Sequence, residues 1–115
     1  MDKIQVSAVF PDIAPDNLAE FKQVAAAVLE LTIPEPGVVQ YDWFFSEDQT
    51  TCEVREVYAD SEAMLAHIAT VGDVLGPLVD LGGGLEADVF GSPSAELADA
   101  LAPFHPTLHA HFQGK

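Results

Sequence analysis

Two ionisable side chains are placed where they could transfer protons. Glu56 lies in a segment, residues 51–58, whose alternate side chains are apolar, and it falls on the apolar face. A buried carboxylate needs a partner, because an unpaired buried charge costs several kcal/mol. His67, in the following helical segment, is the nearest candidate in sequence. The pattern predicts a Glu56–His67 pair, which would either orient the helix over a sheet or position a base beside a pocket.

Arg55 is the one arginine of the chain and would point to the opposite face of the same strand. Strand alternation places it among four carboxylates, those of Asp42, Glu53, Glu86 and Asp88. An arginine among carboxylates favours ion pairing over the binding of a free anion. We therefore predict that Arg55 forms an ion pair and that this pair stabilises a dimer interface.

Three histidines, His105, His109 and His111, lie near the C-terminus. The last two would share one face of a strand, a spacing that could bind a metal ion. Two such histidines are a weak metal signal, so we predict no metal site and expect residues 107–112 to form an extra strand or arm on a partner subunit. Cys52, the single cysteine, can form no intrachain disulfide, and we expect a buried, inert thiol.

Regular hydrophobic patterns predict the elements that carry these residues. Alternation of apolar and polar residues predicts four strands, at 3–10, 38–45, 51–58 and 85–90. Apolar residues three or four apart predict helices at 16–31, 62–70 and 95–102, with a further short helical turn at 73–80. The expected N-caps of the three helices are Asp16, Ser61 and Ser94, respectively.

The order β-α-β-β-α-β is that of the ferredoxin-like motif. It predicts an α+β fold in which a four-stranded antiparallel sheet carries its helices on one face. Residues 3–90 would form the core and residues 92–115 a C-terminal helix and tail, all within a single domain, 1–115. The other face of the sheet needs a cover, and we expect a second copy of the chain to supply it.

Length and charge restrict the possible function. The chain has 115 residues, which suit one domain, and 49% of them are hydrophobic, enough for a folded core. The net charge of −15 disfavours nucleic acids and anionic membrane surfaces as partners. The N-terminal residues do not follow the signal-peptide pattern, and charged residues, prolines and glycines interrupt the apolar stretches. We therefore expect a cytoplasmic protein that binds neither membrane nor nucleic acid.

One set of residues, between positions 35 and 67, carries a family resemblance that covers about residues 3–90. It comprises Glu35-Pro36-Gly37, Tyr41, Glu56-Val57-Tyr58, Asp60, Ala63 and His67. The set resembles the antibiotic biosynthesis monooxygenase-like family, whose members are dimeric α+β barrels of ferredoxin-like subunits. The best-known members oxidise polyphenolic or quinol substrates with molecular oxygen and use no metal or flavin. The resemblance implies a homodimer with facing sheets, no cofactor, and a pocket between sheet and helices.

The resemblance also implies roles for individual side chains. A small, phenol-like or quinol-like aromatic substrate would be deprotonated in a dry aromatic pocket and would then react with oxygen. The implied substrate-binding residues are Tyr41, Trp43, Phe21 and Phe45, and the implied catalytic residues are His67, Glu56 and Tyr58.

The same aromatic residues also suit a purely structural role. Aromatic side chains on a strand beneath a helix commonly form core. The alternative function is therefore a non-catalytic dimer that binds a hydrophobic ligand or serves as an accessory protein. A pocket around Tyr41, Trp43 and His67 would favour the first function, whereas a filled core would favour the alternative. The C-terminal tail could close such a pocket as a lid.

Overall fold

The computed structural model describes residues 2–115 and contains five strands and three α-helices. In chain order the elements are β1 (Ile4–Phe10), α1 (Leu18–Thr32), β2 (Val38–Phe45), β3 (Cys52–Tyr58), α2 (Ser61–Leu81), β4 (Glu86–Phe90), α3 (Ala95–Leu101) and β5 (Thr107–His109). Short 3-10 turns precede α1 at Pro15–Asn17 and follow α3 at Ala102–Phe104. The predicted β-α-β-β-α-β order with an additional C-terminal helix is confirmed.

The strands form one open sheet in the order β2-β3-β1-β4-β5. The first four strands pair antiparallel, as the ferredoxin-like motif requires. β5 adds a fifth strand, parallel to β4, so the prediction of a purely antiparallel four-stranded sheet was incomplete. Residues 107–109 thus pair within their own chain, where the sequence suggested a strand or an arm on a partner. Because the sheet is open, a barrel would need a second copy.

One face of the sheet is buried beneath the helices, and it is the face that strand alternation indicated. β1 and β3 bury alternate residues, including Ile4, Val54 and Tyr58, with at most 1% of each exposed. On the helix side of this core, α1 contributes Phe21 and Val28, and α2 contributes mainly apolar side chains. The helices therefore pack on the sheet face that also carries Glu56.

α2 is a single helix of 21 residues, where the sequence predicted two shorter ones. Its N-cap is Asp60, whose carboxylate accepts a 2.8 Å hydrogen bond from Ala63 N, and not the expected Ser61. Pro77 lies inside the helix and lacks the hydrogen that would bond the Asp73 carbonyl. Both residues are exposed, so water can satisfy that carbonyl, while burial of Leu78 stabilises the continuous helix.

By its length and composition alone, α2 could also cross a membrane. The sequence did not indicate such a helix, because charged residues, prolines and glycines interrupt its apolar stretches. The best window of α2 has a mean hydropathy of 1.4, and it is the single such helix among residues 2–115. A helix that packs on the core of a protein can have the same length and composition. In this structure Met64, Val71 and Leu78 of α2 are buried against the sheet.

α1 begins at Leu18 and not at Asp16. Pro15 starts a 3-10 turn that ends at Asn17, and Asn17 is the N-cap of α1 although its side chain makes no capping hydrogen bond. α3 starts as expected, because Ser94 Oγ accepts a 3.1 Å hydrogen bond from Leu97 N.

Candidate functional site

A small cavity of about 80 Å³ lies between the sheet and α2. Most of its wall is aliphatic or aromatic, from residues such as Val6, Val54 and Val71. Five of the seven sequence-predicted site residues line it: Tyr41, Trp43, Glu56, Tyr58 and His67. The structure therefore brings the expected polar and aromatic groups together around one space.

Phe21 and Phe45 were expected to bind substrate, but they lie outside the cavity wall. The ring of Phe21 is fully buried and packs edge-on against Trp43, with ring centroids 6.5 Å apart. Phe45 in turn packs edge-on against Phe21 at 5.9 Å. Both rings therefore pack outside the cavity wall, Phe21 against Trp43 and Phe45 against Phe21.

Glu56 and Tyr58 form the first polar pair of the cavity. They are two residues apart on β3, so their side chains share the face beneath the helices. Tyr58 Oη donates a hydrogen bond of 2.5 Å to Glu56 Oε1. Burial raises the pKa of the Glu56 carboxyl to about 7, against the lowering effect of the Tyr58 hydrogen bond. Glu56 therefore holds its proton below about pH 7 and can act as an acid there.

His67 forms the second pair, but its partner is Glu35 and not Glu56 as the sequence suggested. His67 is 4% exposed, and its Nδ1 lies 2.8 Å from Glu35 Oε1. Because a carboxylate can only accept, this contact assigns the hydrogen to Nδ1 and leaves Nε2 of the neutral ring as the basic nitrogen. Glu35, and not Glu56, thus fixes the tautomer of His67.

The loop after α1 brings Glu35 to α2 by way of Gly37. A Cβ atom on Gly37 would lie 2.5 Å from the Cβ of Ala63, so only glycine lets the loop approach the helix this closely. Ala63 precedes His67 by one helical turn and lies on the same side of α2. The run Glu35-Pro36-Gly37 was noted in the sequence, and its role in holding His67 emerges from this contact.

Two tyrosines flank the His67 ring. The ring centroids of Tyr41 and Tyr58 lie 5.0 and 5.4 Å from that of His67. Burial, and after it the negative charge that Glu56 can carry, raises the pKa of both tyrosine hydroxyls well above the ordinary value. Both tyrosines therefore stay neutral and can donate hydrogen bonds without competing with His67 as a base.

Trp43 adds a polar atom that has no partner. Its indole ring stacks parallel to Phe10 at 6.2 Å and meets Tyr41 edge-on at 5.9 Å. The Nε1 atom of Trp43 is buried, and among residues 2–115 it is the one buried side-chain nitrogen or oxygen without a hydrogen bond. Trp43 therefore lines the cavity with its ring, while its buried indole N–H has no partner inside the chain.

Two residues from the C-terminal part of the chain also line the cavity. Leu101 at the end of α3 is 5% exposed, and Phe104 in the following 3-10 turn is half-buried. The sequence suggested a lid from this region but named no residue for it. The C-terminal segment therefore completes the cavity wall.

The opposite face of the sheet carries a larger groove of about 580 Å³. Arg55 lines it and pairs with Glu53 of the same strand, and Glu53 also accepts a 2.9 Å hydrogen bond from Ser7. His109 Nε2 lies 2.8 Å from Asp88 Oδ1. Within residues 2–115 the side chains form no group of three or more potential metal ligands.

The chain is similar to a protein family and to several solved structures. The family model of antibiotic biosynthesis monooxygenases matches residues 4–71. No curated protein sequence matches the chain.

Three solved structures illustrate the structural similarity. MupZ from Pseudomonas fluorescens superposes with a TM-score of 0.79 at 23% identity, over 98% of this chain and 92% of that one. A conserved protein from Methanosarcina mazei Go1 reaches 0.70 at 19% identity, over 82% and 95%. A variant of SnoaB, a cofactor-independent oxygenase from Streptomyces nogalater, reaches 0.62 at 20% identity, over 83% and 97%. These similarities support the fold, and the match of the family model over more than half of the sequence shows that the chain belongs to the antibiotic biosynthesis monooxygenase family.

Proposed function

We propose that the protein is a cofactor-independent monooxygenase that acts on a small phenol-like or quinol-like molecule. The observation that carries the proposal is the presence of an acid and an oriented base, Glu56 and His67, at one apolar cavity. Membership of the family supports the reaction class. SnoaB, which shares the fold, is a cofactor-independent oxygenase.

The first step is removal of the phenolic proton. Nε2 of His67 accepts this proton, and Glu35 stabilises the imidazolium that forms. The phenolate then transfers one electron to molecular oxygen, and the resulting phenoxyl radical and superoxide combine into a carbon-bound peroxide anion. An apolar, water-poor wall favours this step, because water would otherwise stabilise the phenolate and slow its oxidation.

The second step converts the peroxide into a carbonyl. Glu56, which holds its proton near neutral pH, donates it to the peroxide anion. The ionised Glu56 then removes the hydrogen of the peroxide-bearing carbon while the O–O bond breaks, and the departing hydroxide takes the proton of the His67 imidazolium. One oxygen atom enters the product as a quinone carbonyl, the other leaves as water, and both side chains return to their starting states.

The size of the cavity requires movement of its wall. Ligand pockets usually enclose roughly 300–1,000 Å³, and even benzene needs a cavity of about 150 Å³. The observed 80 Å³ is smaller than either. The wall contributed by Leu101 and Phe104 belongs to the peripheral C-terminal segment, whereas the remaining wall belongs to the sheet, to α2, to Val28 of α1 and to Leu85 before β4. We propose that this segment moves outward to admit the substrate.

A homodimer is part of the proposal. The face of the sheet opposite the helices leaves Phe44 and Phe90 more than 40% exposed and contains Arg55 among carboxylates. Burial of this face against a second copy would cover these rings and would place Arg55 at the interface. A cytoplasmic location remains a prediction from the sequence.

The small cavity also favours a second candidate function. A non-catalytic dimer that carries a ligand or acts as an accessory protein needs no open pocket. The volume of 80 Å³ and the packing of Tyr41 and Tyr58 around His67 agree with that role. The two candidates differ in one measurable property, which is oxygen consumption.

Oxygen uptake with a panel of small phenols and quinols tests the proposed function. We expect uptake by the wild-type protein that exceeds the rate without protein. The His67→Gln variant should lower it by about a hundredfold to ten-thousandfold, as for loss of a general base. His105→Gln is the matched control, because His105 is exposed and outside the cavity wall. Binding of phenols without any uptake would contradict the oxygenase and favour the ligand carrier.

A further inference from the structure

The stretch of chain after α3 is attached to the rest of the protein by few contacts. Leu101 is the last buried residue of the chain, and beyond it Phe104, Pro106 and His109 are half-buried while the others are exposed. Within residues 2–115, the one side-chain hydrogen bond that ties residues 102–115 to an earlier element is that of His109. The position of this stretch therefore depends strongly on the contacts of His109.

Three interactions meet at His109, the last residue of β5. Its Nε2 lies 2.8 Å from Asp88 Oδ1, and its ring stacks on Phe90 with the centroids 4.5 Å apart. Its carbonyl oxygen accepts a 2.9 Å hydrogen bond from Gly91 N. Because a carboxylate can only accept, Nε2 carries the hydrogen that Asp88 receives. We call Asp88, Phe90 and His109 the clamp, since together they fasten the end of β5 to β4.

Phe104 lies between two points of attachment. Before it in the chain, the buried side chains of Leu97 and Leu101 anchor α3, and after it the clamp holds His109. Between Phe104 and β5 the chain turns at His105, whose φ and ψ of 50° are left-handed. Residues other than glycine seldom adopt this conformation unless the surrounding structure holds them in it. Release of the clamp would therefore leave Phe104 attached through α3 alone.

The clamp lies on the sheet face opposite the cavity. Val89 of β4 is buried in the core, so its neighbours Asp88 and Phe90 point to the other face. Phe90 and His109 line the large groove on that face, whereas Phe104 lines the cavity. The side chains that hold the C-terminal wall are thus separate from those that face the cavity.

We propose that the clamp closes the cavity by keeping Phe104 in its wall, so that His109 is a positioning residue for Phe104. The inference rests on the outward movement in the proposed function, and it names the contacts that this movement must break. An aromatic ligand larger than the cavity enters when His109 leaves Asp88 and Phe90 and β5 separates from β4. The clamp therefore opposes ligand binding, and its removal favours binding.

Benzene is a suitable probe, because it needs a cavity of about 150 Å³ and its binding requires no acid or base. The closed cavity of about 80 Å³ is too small for it. We expect His109→Ala to bind benzene about fivefold to tenfold more tightly than the wild-type protein in a nuclear magnetic resonance titration, the effect of one hydrogen bond. His111→Ala is the matched control, because His111 is exposed on the same tail and outside the cavity wall.

The benzene titration separates the clamp from the proposed oxygenation. Equal affinities of wild type and His109→Ala, or no binding to either, would overturn the clamp and leave the oxygen-uptake result with phenols unaffected. Asp88→Ala should bind benzene as tightly as His109→Ala does. Asp88→Asn keeps an oxygen that accepts the hydrogen of His109, so its affinity should stay near that of wild type. Equal affinities of the two Asp88 variants would contradict the role of this hydrogen bond.

Amide hydrogen exchange tests the clamp without any ligand. The Gly91 amide donates to His109, and the His105 amide donates to the Ala102 carbonyl at 3.0 Å. If clamp and wall open as one unit, both amides have similar protection in wild type, and both exchange about fivefold to tenfold faster in His109→Ala. The Ala98 amide in α3 should not change. Protection of Gly91 and His105 that differs more than tenfold in wild type would overturn the clamp, and this measurement needs no variant to fold.

Discussion

The Glu56→Gln variant should be more stable than the wild-type protein at alkaline pH, and the advantage should disappear in acid. Glutamine has the shape of a protonated glutamate and stays neutral at every pH. Its side-chain oxygen can still accept the hydrogen bond of Tyr58. The substitution therefore removes a titrating proton and preserves the packing of a residue that is 8% exposed.

The size of the effect follows from the pKa of Glu56. Burial raises it to about 7, from 4.5 for an ordinary glutamate. Between these two values the folded protein holds a proton that the unfolded chain has released, so stability decreases as the pH rises. The contribution is fully present below pH 4.5 and lost above about pH 7. At about 1.4 kcal/mol per pH unit, the loss amounts to about 3 kcal/mol.

Urea unfolding at pH 5, 6, 7 and 8, followed by circular dichroism, measures this effect. The difference in unfolding free energy between Glu56→Gln and wild type should increase by about 2–3 kcal/mol from pH 5 to pH 8, with most of the change before pH 7. Glu47→Gln is the matched control, because Glu47 is exposed in the β2–β3 turn. A difference that stays constant between pH 5 and pH 8 would refute the reasoning, since Glu56 would then titrate like an exposed carboxyl.

Three further substitutions test other parts of the structure. Phe104→Ala should increase the affinity for bulkier phenols such as 1-naphthol and lower the unfolding free energy by about 2 kcal/mol. Titration calorimetry measures the affinity, and an unchanged value would contradict the proposed outward movement of the C-terminal segment. Gly37→Ala should cost about 1–3 kcal/mol in urea unfolding, because its Cβ meets Ala63 at 2.5 Å, and wild-type stability would contradict that contact. Arg55→Ala should lower the dimer fraction in sedimentation, with Lys22→Ala on α1 as control; equal fractions would exclude Arg55 from the interface.

The sequence predicted the sheet well because its signal is local. Alternation along β1 and β3 identified the buried face, and it marked Glu56 as the exception on that face. The long helix was harder to predict. Gly72, Gly76 and Pro77 all favour a break, and only the packing of α2 on the sheet overrides these preferences.

The pairing inside the site could not be read from the sequence. Glu35 and His67 lie on different elements, and their contact depends on how closely the loop at Gly37 approaches α2. Proximity along the chain suggested Glu56 as the partner, but Tyr58, on the same face of the same strand, takes that hydrogen bond. Leu101 and Phe104 were missed for a similar reason, because their place at the cavity depends on the path of the whole C-terminal segment.

The central position of β1 has a consequence for folding during synthesis. β1 leaves the ribosome before the other four strands of the sheet, yet it lies between β3 and β4. The β2–β3 hairpin can form early, because its strands are joined by a short turn. β1 gains its second neighbour only when Glu86–Phe90 has emerged. The nascent chain must therefore keep one edge of its central strand unpaired until β4 has been synthesised, and we expect contact with chaperones in that interval.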